Sequence, residues 1–235
     1  MTKSQHIGIV AVSAEGAALC YRTICSEGAA LFGMHDHPEI TMHTYSLAEY
    51  MGHIENNRWN DVGRMLLSSA EKVVRAGAEI LVCPDNTAHQ GIELVRLNSP
   101  APWLHIADEV AAVATKRNFT RLGVLGTKYL MEGPVYTRAL SERRVACAIP
   151  DAADRERINA IIFDELVRGD CKNTSRKYLQ EVIDKLADRG CDAVVLGCTE
   201  IPLLVSQSDS RLPVIDSTRT LARAALRESA VRATV

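Results

Sequence analysis

Two buried-strand signals, each delivered by a helix and a glycine and each broken at its carboxyl end by a short polar cluster, constrain this chain more than any other feature. The first runs Ala78-Glu79-Ile80-Leu81-Val82 into Cys83-Pro84-Asp85-Asn86-Thr87-Ala88-His89. The second runs Ala193-Val194-Val195-Leu196 into Gly197-Cys198-Thr199-Glu200-Ile201-Pro202. Apolar runs without polar alternation suit strands covered on both faces, as in a parallel sheet. In open α/β sheets ligands sit outside the carboxyl ends of the strands, so the thiol, hydroxyl and carboxylate of residues 198–200 are placed to project into a binding crevice. The two strand ends are expected to face each other across one small-molecule site.

The order of elements supports a repeat. Ile7 to Val12 and Leu122 to Thr127 each read as a buried strand opening a unit, and their glycines, Gly8 and Gly123, stand 115 residues apart. Helical spacing of Val62, Met65, Leu66, Ala70, Val73 and Val74 predicts a helix from Trp59 to Gly77, and residues 174 to 190 repeat that helix-Gly-strand order. Asp85 and Cys198, which follow these two helix-strand pairs, stand 113 residues apart. Strands are also expected at 40–45, 104–106 and 213–216, and helices at 107–116, 134–140, 153–167 and 218–232. Alternating βαβα patterns favour parallel sheets, and duplicated lobes would leave a cleft between them.

Composition narrows the function. Over 235 residues the charged fraction is 24% and the net charge −2, so no basic excess points to nucleic acid or an anionic membrane. No apolar run reaches the roughly 18 residues a membrane span requires. The opening residues pass into strand-like sequence without a signal-peptide pattern, so a cytoplasmic protein is expected. Seven cysteines, Cys20, Cys25, Cys83, Cys147, Cys171, Cys191 and Cys198, form no CxxC pair and read neither as a disulfide framework nor as a zinc site. Most are expected to be small buried hydrophobes; Cys198 departs from that default because of its neighbours. His35-Asp36-His37 reads as a solvated loop, with no third ligand cluster to make a metal site. The turn Ser13-Ala14-Glu15-Gly16-Ala17 lacks both the dinucleotide fingerprint and the P-loop.

The combination of Gly197-Cys198-Thr199-Glu200 with Asn86-Thr87-Ala88-His89 after a strand resembles the aspartate/glutamate racemase family. Leu104-His105-Ile106-Ala107-Asp108, Gly126-Thr127-Lys128-Tyr129 and Ile161-Ile162-Phe163-Asp164-Glu165-Leu166 resemble it too, in the family's order. The resemblance runs from about Ile7 to the last helix. It implies an α/β fold of two Rossmann-like lobes with parallel sheets related by a pseudo-twofold and an active site in the cleft between them. Residues 1–105 with 213–235 would form the first lobe, the C-terminal helix returning to it, and 106–212 the second. It also implies racemisation of an amino acid without cofactor or metal, in a homodimer, with one residue from each lobe exchanging a proton on opposite faces of the α-carbon. By the same resemblance Cys198 is the acid or base of the second lobe. Asn86, Thr87, Thr127, Thr199 and Glu200 would bind substrate, Lys172 would meet a side-chain carboxylate, and Glu200 and His89 are motif positions.

The sequence departs from the family pattern where Asp85 stands at a position that many members fill with cysteine and some with threonine. Cys83, two residues earlier, reads as strand packing. An ordinary carboxyl near pKa 3.9 is a weaker base than a thiol near 8.5 by about 6 kcal/mol, a deficit that burial and a nearby thiolate would reduce. Asp85 would then wait protonated as the acid while the Cys198 thiolate acts as base; the competing role for Asp85 is to cap the following helix. The arginine that some acidic-amino-acid racemases place after the second strand has no match in Ser46 to Met51, leaving His53 and Lys172 as distal contacts. Aspartate or glutamate is the expected substrate, and the missing arginine weakens aspartate and leaves a non-acidic amino acid open. Two other functions stay open: a one-cysteine enzyme of the same superfamily, such as a decarboxylase or cis-trans isomerase, and a non-catalytic binder of small carboxylates.

Overall fold

The protein is described by a computed structural model over residues 4–231. It divides into two compact units, one comprising the residues up to Ile106 together with those from Thr218 onward, the other Ala107–Ser217.

In the first unit β1 (Ile7–Ala11) leads to α1 (Ala14–Phe32), β2 (Ile40–Thr44), α2 (Leu47–Ile54), α3 (Trp59–Arg75), β3 (Ile80–Val82), α4 (His89–Val95) and β4 (Trp103–Leu104). The four strands form a parallel sheet in the order β2-β1-β3-β4. Ile7, Ile9, Ala11, Ile80 and Val82 pack with Ala17, Cys20 and Ile24 of α1 and with Leu221, Ala222, Ala225 and Leu226 near the C-terminus. The buried residues of α3, among them Val62, Leu66, Ala70 and Val73, recur at the helical spacing expected of them.

The second unit takes in α5 (Ile106–Lys116), β5 (Arg121–Leu125), α6 (Lys128–Met131), α7 (Pro134–Ser141), β6 (Ala146–Ala148), α8 (Ala152–Ala160), α9 (Asn173–Asp188), β7 (Ala193–Leu196) and β8 (Val214–Asp216). The closing helix α10 (Ser217–Val231) carries the chain back to the first unit, and its expected end at Arg232 lies outside the described residues. The sheet is again parallel, ordered β6-β5-β7-β8. Side chains alternate across it: Ala193 and Val195 join the core formed with α5 and α7, while Val194 and Leu196 join the core formed with α8 and α9.

Gly8 and Gly123, the pair that marked the repeat, do the same work in their own units. A Cβ on Gly8 would lie 2.8 Å from both the Cβ of Ala78 and the Cγ2 of Val73, and one on Gly123 would lie 2.8 Å from Cδ1 of Leu186. Each glycine thus lets the helix preceding the site-bearing strand press against the sheet.

Three expectations change. Residues 213–216 were expected with the first lobe, but β8 pairs with β7 in the register Val194↔Val214, Val195↔Ile215 and Leu196↔Asp216, so the second unit extends to Ser217. Ser217 reinforces this by donating its hydroxyl to the carbonyl of Leu196 at 2.9 Å. The helix expected over 153–167 is broken: α8 gives way to a π-helical turn, Ile161–Glu165, and then a 3-10 turn, Leu166–Arg168. Finally, β6, α2 and α4 are elements the sequence pattern did not announce.

Candidate active site

At the carboxyl end of β3 the chain makes a sharp, internally bonded turn. Asp85 accepts the backbone N–H of Ala88 on Oδ1 at 2.9 Å, so its carboxylate does cap the start of α4. Asn86 and Thr87 are buried beside it, and Asp85 itself is partly exposed. His89, fully buried, ties the turn together. Its Nδ1 lies 2.8 Å from the carbonyl oxygen of Asp85, and its Nε2 accepts the N–H of Ile106 at 3.2 Å. A carbonyl can only accept and a backbone N–H can only donate, so Nδ1 carries the proton and the imidazole is neutral. Both ring nitrogens therefore serve the backbone, and the motif histidine positions Asp85 rather than the substrate.

Cys83 lies on the inward side of the same segment, fully buried, with its Sγ 3.9 Å from the carbonyl oxygen of Asp85. Burial, reinforced by the charge of Asp85, pushes its thiol well above the ordinary range. A thiol held neutral in this way is a packing group, not a nucleophile. At the end of β1, Ser13 accepts the N–H of Gly16 at 3.2 Å and caps α1. His53, expected as a distal contact, sits 3.6 Å from Asp61.

At the carboxyl end of β7 three buried side chains converge. Cys198 donates its Sγ–H to Oε2 of Glu200 at 2.9 Å, and Thr199 donates its hydroxyl to the same oxygen at 2.7 Å. All three residues are at least nine-tenths buried. Gly197 makes the turn possible, because a Cβ there would lie 2.6 Å from Leu130 Cδ2 and 2.8 Å from the carbonyl oxygen of Leu125. A buried thiol beside a charged carboxylate is held neutral, so the thiolate, the nucleophilic and basic form of cysteine, can form here only if Glu200 takes up the proton it faces. Glu200, expected from sequence among the substrate contacts, is the group that faces the thiol.

The remaining expected contacts are in the second unit. Thr127 caps α6, accepting the N–H of Leu130 at 3.2 Å, and the next residue, Lys128, gives its N–H to Asn159 Oδ1 at 3.0 Å. Lys172, half exposed, has its ammonium 3.6 Å from Glu165 Oε1 and 3.3 Å from Asp170 Oδ2. Glu165, buried at the end of the π-helical turn, also takes the hydroxyl of Ser175 and lies 4.0 Å from Arg157. Single-turn π segments often mark functional sites, and this one ends on the buried carboxylate that lies beside the lysine. Among the described residues no group of three or more His, Cys, Asp or Glu is arranged to hold a metal ion.

Each unit is therefore a parallel α/β layer with acid-base side chains at a carboxyl sheet edge, the arrangement of a small-molecule enzyme. The chain matches the Asp/Glu/hydantoin racemase family over residues 7–225. A crystal structure of a candidate Asp/Glu racemase from Yersinia pestis is 32% identical, covering 96% of this chain and 99% of that one with a TM-score of 0.88. The structure of an aspartate racemase homologue from Pyrococcus horikoshii is 28% identical over 97% and 99% of the two chains, with a TM-score of 0.82. A glutamate racemase from Desulforudis audaxviator is 26% identical over 145 residues, which span 59% of this chain and 52% of that protein. This chain belongs to the Asp/Glu/hydantoin racemase family. It is, in class, an amino-acid racemase and so an isomerase.

Proposed function

We propose that the protein inverts the α-carbon of an acidic amino acid, aspartate or glutamate, by two-base proton transfer at Cα with Cys198 and Asp85 on opposite faces, without a cofactor. In one direction the Cys198 thiolate removes the α-proton and protonated Asp85 delivers its proton to the opposite face. In the other direction the two exchange roles. The observation that carries this reading is the buried contact between Cys198 and Glu200, which supplies the thiol with an acceptor for its proton. Asn86, Thr87 and Thr199 are the proposed contacts to the α-carboxylate, Thr199 through its backbone N–H because its hydroxyl proton goes to Glu200, and Thr127 is a further proposed substrate contact. Lys172, held by Glu165 and Asp170, is the proposed contact to the side-chain carboxylate. Relatives named as glutamate racemase and as broad-specificity amino-acid racemase support the reaction type and leave the choice of amino acid to experiment.

The deciding measurement is exchange of the α-proton in deuterated buffer, run over both enantiomers of the common amino acids. Deuterium should enter aspartate or glutamate from either enantiomer, and Cys198→Ser should abolish it. No exchange into any amino acid would sink the proposal. One observation favours a second reading: Asp85 already spends an oxygen on the Ala88 N–H. A one-cysteine decarboxylase or cis-trans isomerase would use Cys198 alone, and Asp85→Ala would then leave its rate intact. A cytoplasmic homodimer is part of the proposal, checked by cell fractionation and sedimentation. Among the described residues no helix is long and apolar enough to cross a membrane.

A further inference from the structure

Lys72, on α3, is a half-buried cation whose partners are all neutral. Its ammonium lies 3.1 Å from Nε2 of His43 and 2.7 Å from the hydroxyl oxygen of Tyr45, at and just beyond the end of β2. It also stands 4.2 Å from the centre of the Tyr45 ring. An ammonium can only donate, so His43 accepts on Nε2 and carries its own proton on Nδ1, 2.8 Å from Ser69 Oγ. Ser69 in turn donates to the carbonyl oxygen of His43 at 3.3 Å. Among the described residues no carboxylate forms an ion pair with Lys72. Lysine ordinarily keeps its charged head in water, and an ammonium drawn in among neutral groups loses hydration without gaining a counter-charge.

The charge acts on both neighbours. Burial, and then Lys72, pushes His43 below the ordinary imidazole value. Hydrogen bonds from Lys72 and then Ser68 lower the phenol of Tyr45, and exposed Glu49 of α2 is the smallest of the influences on it. Either oxygen of the Tyr45–Ser68 pair, 2.9 Å apart, can be the donor. With Ser68 donating, the phenol oxygen accepts twice and its own proton is released for a ligand. Tyr45 also lines a cavity of about 370 Å³ at the ends of β1 and β2, whose walls include Ala17, Ala18, Met42 and Leu47. β2 is an edge strand, and β1 separates it from β3 and the segment that carries Asp85.

We propose that Tyr45 and Lys72 form a second binding site, for a small carboxylic acid other than the reacting amino acid. The carboxylate takes the phenol proton and supplies the negative charge that Lys72 lacks, while the carbon chain lies against Met42 and Leu47. His43, held neutral, fixes the direction of the lysine. The site stands whether or not Asp85 transfers a proton.

Propionate is the probe, added to the whole chain carrying isotope-labelled tyrosine, with sodium chloride at the same ionic strength as the control. The ring-carbon resonance of Tyr45, identified by its absence from Tyr45→Phe, should shift saturably with millimolar propionate and hold still with chloride. Lys72→Met, which keeps the length of the side chain and removes its charge, should weaken this binding about tenfold or more, and Lys72→Arg should restore most of it. In the deuterium-exchange assay Lys72→Met should leave the KM of the amino acid unchanged. A Tyr45 shift that never saturates, or that saturates equally in Lys72→Met, would overturn the proposal. A rise of about tenfold in that KM would overturn it too, because the ligand at Lys72 would then be the substrate itself.

Discussion

Cys198 and Glu200, two residues apart in sequence, share a 2.9 Å hydrogen bond inside the second unit, and Thr199 gives its hydroxyl to the same carboxylate oxygen. In the proposed reaction the thiol must lose its proton, and this carboxylate is the group placed to take it. Glu200→Gln keeps the shape and an acceptor oxygen but cannot take up the thiol proton. It should lower kcat/KM for α-proton exchange about 10²-fold, the lower end of general acid-base assistance. Thr199→Val, which removes a donor without touching the thiol contact, should cost about tenfold. Equal rates in Glu200→Gln and the wild type would show that solvent, not Glu200, activates the thiol.

Asp85 caps α4 and, in the proposed reaction, also transfers a proton, and substitution can separate the two roles. Asparagine caps helices as well as aspartate, so Asp85→Asn should keep the bond from Ala88 and the melting temperature while losing about 10²–10⁴ in rate. Asp85→Ala should lose the rate and about 1 kcal/mol of stability as well. Asp85→Cys should preserve or raise activity, since a thiol is the stronger base. Calorimetry alongside the exchange assay reads both quantities, and an active Asp85→Asn protein would leave capping as the sole role.

The buried His89 should prove structural. Removing its ring leaves the Asp85 carbonyl and the Ile106 N–H without their partner. His89→Ala should cost about 2–5 kcal/mol in urea unfolding, from two unpaired polar groups plus the cavity. The loss of rate should then follow the loss of folded protein, which far-ultraviolet circular dichroism at the assay temperature would reveal.

Much of this was legible in the residue order. The strands ending at Val82 and Leu196 and the helices delivering them follow from local apolar spacing, and the resemblance supplied the motif positions. What could not be read depends on pairing partners and burial. The residues of β8 look the same whichever sheet they join, and only the register with β7 decides it. β6 is three residues long at a sheet edge, too short for a periodic signal. The π-helical turn differs from a continuous helix by one inserted residue, too small a change for the residue pattern to show. The burial of Tyr50 on α2 is a fact of tertiary packing that the local residue pattern of Leu47–Ile54 does not show.

The two close-approach glycines should differ in cost. A methyl at Gly8 meets the Cβ of Ala78 and the stiff branched side chain of Val73, both held by backbone. A methyl at Gly123 meets chiefly the flexible end of Leu186. Gly8→Ala should therefore cost about 2–3 kcal/mol and Gly123→Ala about 1 kcal/mol in denaturant unfolding, within the range for overpacked cores. The reverse order would mean that α3 shifts more easily than α9.

Stability toward acid should depend on Asp154. Burial alone would raise its carboxyl, but hydrogen bonds from Tyr178 at 2.7 Å and Lys185 at 2.9 Å outweigh it and hold the group below its ordinary value. A carboxyl that ionises more readily in the folded than in the unfolded chain binds fewer protons when folded. Its contribution is then present above the unfolded value, near pH 4, and is lost as pH falls through the lower folded value. Asp154→Asn should cost about 1–2 kcal/mol at neutral pH, toward the low end because the Lys185 side chain is more than half exposed. The difference between variant and wild type should shrink between pH 4 and pH 2, because protonation removes from the wild type what the substitution has already removed. Urea titrations at pH 7 and pH 2.5 measure both, and a difference that stayed constant would place the acid-sensitive group elsewhere.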